Sequence, residues 1–243
     1  MDLTIKNSDL ISKTTILKVL AWLVHLYTSL GLVTALFSLI AIVNNDPKGF
    51  FVLQAIAMFI DSTDGFMARG FKVKVWAPEI DGRKLDDITD FLNYAFLPVF
   101  FAFHFNMIGS SLTFILGIVL ITSVYGFCQI SAKTNDGYFT GFPNFWNVLI
   151  FYLFVFKIDP TITAAILLVF SALIFVPLKY LSYSSMSFKA LTLVFSLVFA
   201  IPVAIFIANF DHPDMRLIWI SLLGPIFYVV AALYINAKIP SGG

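Results

Sequence analysis

Charge is scarce in this chain and cysteine scarcer. Lys, Arg, Asp and Glu make up 12% of the 243 residues and leave a net charge of +1. Such a balance gives no basic field to draw in nucleic acid and no polybasic tract for electrostatic docking. The one cysteine, Cys128, excludes an internal disulfide, and its apolar neighbours mark it as a packing residue. Residues 1–13, MDLTIKNSDLISK, lack the charged, apolar and cleavable succession of a secretory signal, so the first apolar stretch is expected to stay in the mature chain. What fills the sequence is hydrocarbon. Hydrophobic residues make up 60% of it, with 28 Phe, and the mean hydropathy is +0.93. Those values suit helices in lipid and are wrong for a soluble core.

A hydrocarbon layer of roughly 30 Å takes about 20 helical residues to cross. Eight apolar stretches, separated by loops with Pro, Gly, Asn and charge, run approximately 17–43, 49–69, 85–107, 111–132, 145–158, 161–180, 188–209 and 216–237. They predict an all-α polytopic membrane protein with about eight transmembrane helices, a single membrane-embedded domain over residues 1–243 that opens with a short cytoplasmic segment, 1–13. An even count puts both termini on one side. Lys6, Lys13, Lys18, Arg69, Lys72, Lys74, Arg83, Lys84, Lys133, Lys179, Lys189 and Lys238 then share the terminal side, against Lys48, Lys157 and Arg216 opposite. The positive-inside rule makes the terminal side the cytoplasm. Pro177, Pro202 and Pro225 fall inside later spans and predict kinks there.

Against that background four carboxylates stand out. A charge at the bilayer centre costs roughly 2.5 to 3.5 kcal/mol on insertion scales, so acidic residues inside apolar spans point to function. Asp61 and Asp64 are spaced i and i+3, Asp86 and Asp90 i and i+4, and each pair shares one helix face. Two helices can thus aim four carboxylates at one place. Bare, the cluster would repel itself, and hard, oxygen-preferring divalent cations would neutralise it. Gly65, Ala68 and Gly82 lie on or near the same faces, where small residues admit a ligand or a neighbouring helix. Arg69, at the end of its span, can fork onto a phosphate. Asp81 and Asp87 border the cluster on other faces. His25 reads as a histidine hydrogen-bonded to a neighbouring helix.

The pattern D-x-x-D-G-x-x-A-R over 61–69, followed by G-x-x-x-D-x-x-x-D over 82–90, resembles the signature of the CDP-alcohol phosphotransferases, with every signature position filled. The twelve residues between Arg69 and Gly82 form a longer connector than most of that family has, and in this the chain is similar to the bacterial phosphatidylcholine synthase branch. Segments 21–31 and 136–147 also resemble that branch.

The resemblance implies that Asp61, Asp64, Asp86 and Asp90 bind Mn²⁺ or Mg²⁺, two ions per site. It further implies that Asp64, Gly65, Ala68, Arg69 and Gly82 hold the nucleotide and phosphates of CDP-diacylglycerol, and that Asp90 doubles as the base for the acceptor hydroxyl. The acceptor implied is choline, with serine, inositol or glycerol phosphate as alternatives. A homodimer in the bacterial inner membrane, with termini and active site facing the cytoplasm, follows from the same likeness. A quaternary ammonium cannot donate a hydrogen bond, so aromatic faces and carboxylates must recognise it. Tyr94, Asp136, Tyr138 and Trp146 are the candidates, and Lys133 could add a phosphate contact. A cation transporter also uses intramembrane carboxylates, but it has no need of the Gly, Ala and Arg of the signature.

Overall fold

The computed structural model describes residues 2–130, 138–181 and 189–238. Helices dominate it, and the chain gathers into two compact units, Met1–Asn93 and Tyr94–Gly243. Among the described residues five helices are long and apolar enough to cross a membrane: Lys13–Val43, Pro47–Gly70, Ser110–Cys128, Ala190–Ala208 and Met215–Lys238. The stretches expected at 145–158 and 161–180 form the shorter helices Trp146–Val155 and Pro160–Leu173, and that at 85–107 lies in three contiguous helical segments, Gly82–Asp90, Phe91–Phe96 and Leu97–His104. The long helices leave most of their surface outside the protein core. The window of Ala190–Ala208, for example, is only 17% buried. Its exposed Leu193, Val194, Leu197 and Ile201 are the side chains lipid would cover.

The first unit is built on α1 (Asp2–Val43), whose 42 residues run without a break from the segment expected to precede the first span. A tight turn leads to α2 (Pro47–Gly70). Asn45 takes the left-handed conformation there, with φ 55°, and Asp46 N–H bonds back to the Ala41 carbonyl at 2.9 Å, a Schellman closure. Asp46 then caps α2 by accepting from Gly49 N–H at 2.8 Å, and Pro47 takes the first helical position, where no N–H is needed. The connector after α2 folds into α3 (Val73–Trp76), which docks on α1. Ala21, Val24, Val73 and Ala77 form a buried cluster, with Met67, Ala68 and Trp76 packed against it. Next comes α4 (Gly82–Asp90), capped by Asp81 through the backbone N–H groups of Arg83 and Lys84.

Beyond α4 the helix widens into a π turn, Phe91–Phe96, before α5 (Leu97–His104). Pro98 explains the change of register: it has no N–H for the Tyr94 carbonyl and its ring would press on it, which a wider turn relieves. In the second unit follow α6 (Phe114–Cys128), α7 (Trp146–Val155), α8 (Pro160–Leu173), α9 (Lys189–Ala208), α10 (Met215–Ser221) and α11 (Leu223–Lys238). The turn from α7 to α8 repeats the chemistry of the first hairpin. Lys157 has φ 49°, Ile158 N–H bonds to the Leu153 carbonyl at 3.1 Å, and Asp159 caps α8 ahead of Pro160.

The three prolines expected to kink later spans behave differently from one another. Pro202 lies inside α9 as anticipated. Pro225 sits in the first turn of α11, where it cannot donate to the Ser221 carbonyl, and the helix breaks at Leu222. Pro177 lies beyond α8, which has already ended at Leu173, so it follows a helix rather than bending one. A two-stranded antiparallel pairing, β1 (Phe139–Thr140) with β2 (Lys179–Tyr180), is the one sheet among the described residues.

Candidate active site

Every carboxylate of the predicted cluster lies in the first unit. α2 carries Asp61 and Asp64, α4 carries Asp86 and Asp90, and the caps at Asp46 and Asp81 fix where each helix starts and hence which face its acids share. One carboxylate oxygen each from Asp61, Asp86 and Asp90 lies within 4.8 Å of the others, with all three side chains partly buried. Asp64 stands outside that triad, one turn further along α2. It is 6% exposed, and the Thr28 side chain, the Gly65 backbone and the Arg69 guanidinium are the groups near it that favour its charged form.

The donor set suits a hard divalent cation. Three carboxylates this close in apolar surroundings repel one another unless positive charge is supplied. Oxygens bound at about 2.1 Å to one octahedral ion stand about 3.0 Å apart when cis and about 4.2 Å when trans, so the triad would draw together by on the order of 1 Å to share a common ion.

Around the acids, the small residues have unequal surroundings. A Cβ on Gly65 would lie 3.4 Å from Arg69 Nη1, so the glycine leaves room beside an exposed guanidinium. A Cβ on Gly82 would come within 3.2 Å of His25 Cε1, which makes Gly82 one of the points where α4 presses on α1. Ala68 is packed against the cluster between α1 and α3. His25 is buried, and its Nε2 lies 3.4 Å from the Ala77 carbonyl, in line with the reading of this histidine as a partner of neighbouring chain. Asp81 caps α4, and Asp87 pairs with Arg83 at 3.9 Å on the outer face.

Of the aromatic candidates, Tyr94 is 5% exposed within the π turn. Tyr138 is buried with Leu181, Ala231 and Ile235, and the Lys179 ammonium lies 5.9 Å from its ring centroid, within cation–π range. Trp146 is fully buried and donates its Nε1–H to Ser123 Oγ at 2.7 Å. Asp136 and Lys133 lie outside the described residues.

The polar residues of α1 carry a role that the sequence reading did not assign. Tyr27 donates to Thr63 Oγ1 at 2.8 Å, since the Thr63 hydroxyl itself donates to the Phe59 carbonyl. Thr28 is buried on the same helix, its hydroxyl donating to the Val24 carbonyl at 3.4 Å. Asn93, in the π turn, donates to the Gly31 carbonyl at 2.9 Å. A signal was available: His25, Thr28, Gly31, Thr34 and Ser38 recur at helical spacing as a polar or small stripe in an otherwise apolar span.

No family model matches the chain. Among individual proteins, it is 31% identical over 238 residues to the phosphatidylcholine synthase of Pseudomonas aeruginosa, spanning 94% of this chain and 97% of that one. It is 36% identical over 209 residues to the phosphatidylcholine synthase of Legionella pneumophila, covering 83% and 82%. With that of Borreliella burgdorferi the identity is 42% over 167 residues, 67% of this chain and 70% of the other. On the strength of these matches, the chain belongs to the phosphatidylcholine synthase family.

Proposed function

We propose that this protein transfers the phosphatidyl group of CDP-diacylglycerol to choline, giving phosphatidylcholine and CMP, and that it does so as a divalent-metal-dependent CDP-alcohol phosphotransferase. The observation that carries the reading is the gathering of Asp61, Asp86 and Asp90 on two helices of an apolar chain, in a protein whose relatives are named for this activity.

In this reaction the choline oxygen forms a bond to the phosphorus bearing the lipid, and the bond from that phosphorus to the CMP oxygen breaks. Asp61, Asp64, Asp86 and Asp90 would hold Mn²⁺ or Mg²⁺, two ions in all, whose chemistry is to offset phosphate charge and steady the leaving oxygen. Asp90 accepts the hydroxyl proton of choline, a role that suits a carboxylate kept ionised beside the acceptor. Arg69, exposed at the end of α2, takes a phosphate oxygen in its fork. The space beside Gly65 admits the nucleotide next to that guanidinium, and Ala68 and Gly82 allow α2, α3 and α4 to approach α1 closely enough to frame the pocket. Tyr94, Tyr138 and Asp136 remain the candidates for the trimethylammonium group, while Trp146, fully buried and bonded to Ser123, serves packing.

The eight apolar stretches of the sequence, five of them met by long helices, support an eight-span arrangement, and the bacterial relatives support an inner membrane. The excess of basic residues counted on the terminal side supports an active site facing the cytoplasm, and a homodimer is the assembly we infer from the family likeness. Purified protein given CDP-diacylglycerol and Mn²⁺ or Mg²⁺ tests the substrate directly. Labelled choline, but not labelled serine, inositol or glycerol 3-phosphate, enters lipid, and chelation stops turnover until metal is returned. Turnover without metal would overturn the mechanism, and label entering from another acceptor would overturn the substrate.

A further inference from the structure

The two helices that carry the acids pack more extensively on α1 than on each other. The spacing of Asp61 from Asp86 and Asp90 is therefore set by how each helix seats on α1. α2 is held by Tyr27 on Thr63. α4 is held at a closer point. Gly31 faces Thr89, the residue just before Asp90, and a Cβ on Gly31 would overlap the Thr89 Cγ2 methyl. The Thr89 hydroxyl donates to the Leu85 carbonyl at 2.9 Å, which turns the methyl toward α1. Asn93, 1% exposed, closes the contact by donating from Nδ2 to the carbonyls of Gly31 at 2.9 Å and Thr89 at 3.0 Å.

Resting on the metal-site reading above, we infer that Gly31 is a positioning residue for the acid cluster: its missing side chain admits the Thr89 methyl and so sets the distance of α4, with Asp86 and Asp90, from Asp61 on α2. Neither Gly31 nor Thr89 touches the reacting groups. Adding a methyl at Gly31 displaces α4 on the order of 1 Å, because carbon atoms settle at about 3.5 Å or more, and a shift of that size in a metal or catalytic site is costly. Thr89→Ser supplies the compensating change, since it removes the methyl while keeping the hydroxyl.

The test uses full-length protein in detergent, with Mn²⁺ binding followed by the loss of the free-ion resonance. Gly31→Ala weakens binding by about 10- to 100-fold, the range seen when groups that orient metal ligands are altered. Thr89→Ser stays within about 3-fold of the parent, and Gly31→Ala with Thr89→Ser recovers most of the loss. Parent-like binding by Gly31→Ala, or a double variant no better than Gly31→Ala, overturns the inference. A second measurement needs no metal: spin labels on cysteines introduced at Ser62 and Ile88, both exposed, with Cys128 replaced, report the separation of α2 and α4. Gly31→Ala lengthens or broadens that distribution and the double variant restores it, whereas an unchanged distribution overturns the inference. Should the parent bind no Mn²⁺, the metal reading falls, and the label distances still decide the role of Gly31.

Discussion

In the second unit several polar side chains inside the helices meet partners of complementary kind. Trp146 donates to Ser123, Tyr152 pairs with Ser221 at 2.8 Å, and Tyr228 donates to the Leu181 carbonyl at 3.1 Å. Asn236 brackets the Lys179 backbone, accepting from its N–H at 3.0 Å and donating to its carbonyl at 2.9 Å. In the first unit the most conspicuous polar groups do the reverse, since Asp61, Asp86 and Asp90 gather like with like. Complementary pairs lower the energy of the folded chain by themselves. A gathering of like charge raises it until a cation arrives, so its presence speaks for a ligand rather than for stability. The same contrast separates the cluster from Asp46, Asp81, Asp159 and Asp214, each of which caps a helix start.

If that distinction holds, substitutions in the two regions fail in different ways. Asp90→Asn is expected to cut turnover by roughly 10²- to 10⁴-fold, the worth of a positioned base, while the metal-free protein melts no lower than the parent. A thermal scan beside the choline-incorporation assay checks both, and near-parental turnover removes the base assignment. Trp146→Ala should do the opposite. It is expected to cost about 3 to 5 kcal/mol of stability, as large core truncations do, with KM for choline and for CDP-diacylglycerol moving together. A rise confined to the choline KM would move Trp146 from the packing class into the acceptor pocket. Tyr152→Phe, which removes only the bond to Ser221, is expected to cost about 1 kcal/mol and leave both KM values alone, as denaturant titration and steady-state kinetics would report. Asp159→Ala, losing one cap, should cost about 1 kcal/mol or less, with no change in metal affinity.

Much of this was legible in the sequence because the signals were rare where they occurred. Apolar runs gave the long helices, and Asp-Pro at 46–47 and 159–160 marks helix starts by a mechanism that is local. Carboxylates at helical spacing in such runs announced the cluster. The choline residues were harder to read, because at 17% aromatic content an aromatic side chain near any site carries little information. The π turn before Pro98 and the break before Pro225 depended on how the neighbouring turn relaxes, which periodicity does not report. Gly31 was hidden for another reason: a glycine in an apolar helix declares that something approaches, and only tertiary structure identifies it as the Thr89 methyl.

The tight turn between α1 and α2 and the short path through α3 to α4 confine all four acids, and the helix that spaces them, to the first 93 residues. Contacts so near in sequence close quickly, and an N-terminal unit folds while the rest of the chain is still being made. The acidic half of the enzyme would thus be laid down in the membrane during synthesis, ahead of the second unit. A mutation that spoils the seating of α1 would then act at the ribosome and the insertion machinery before it could be seen in any assay of the finished protein.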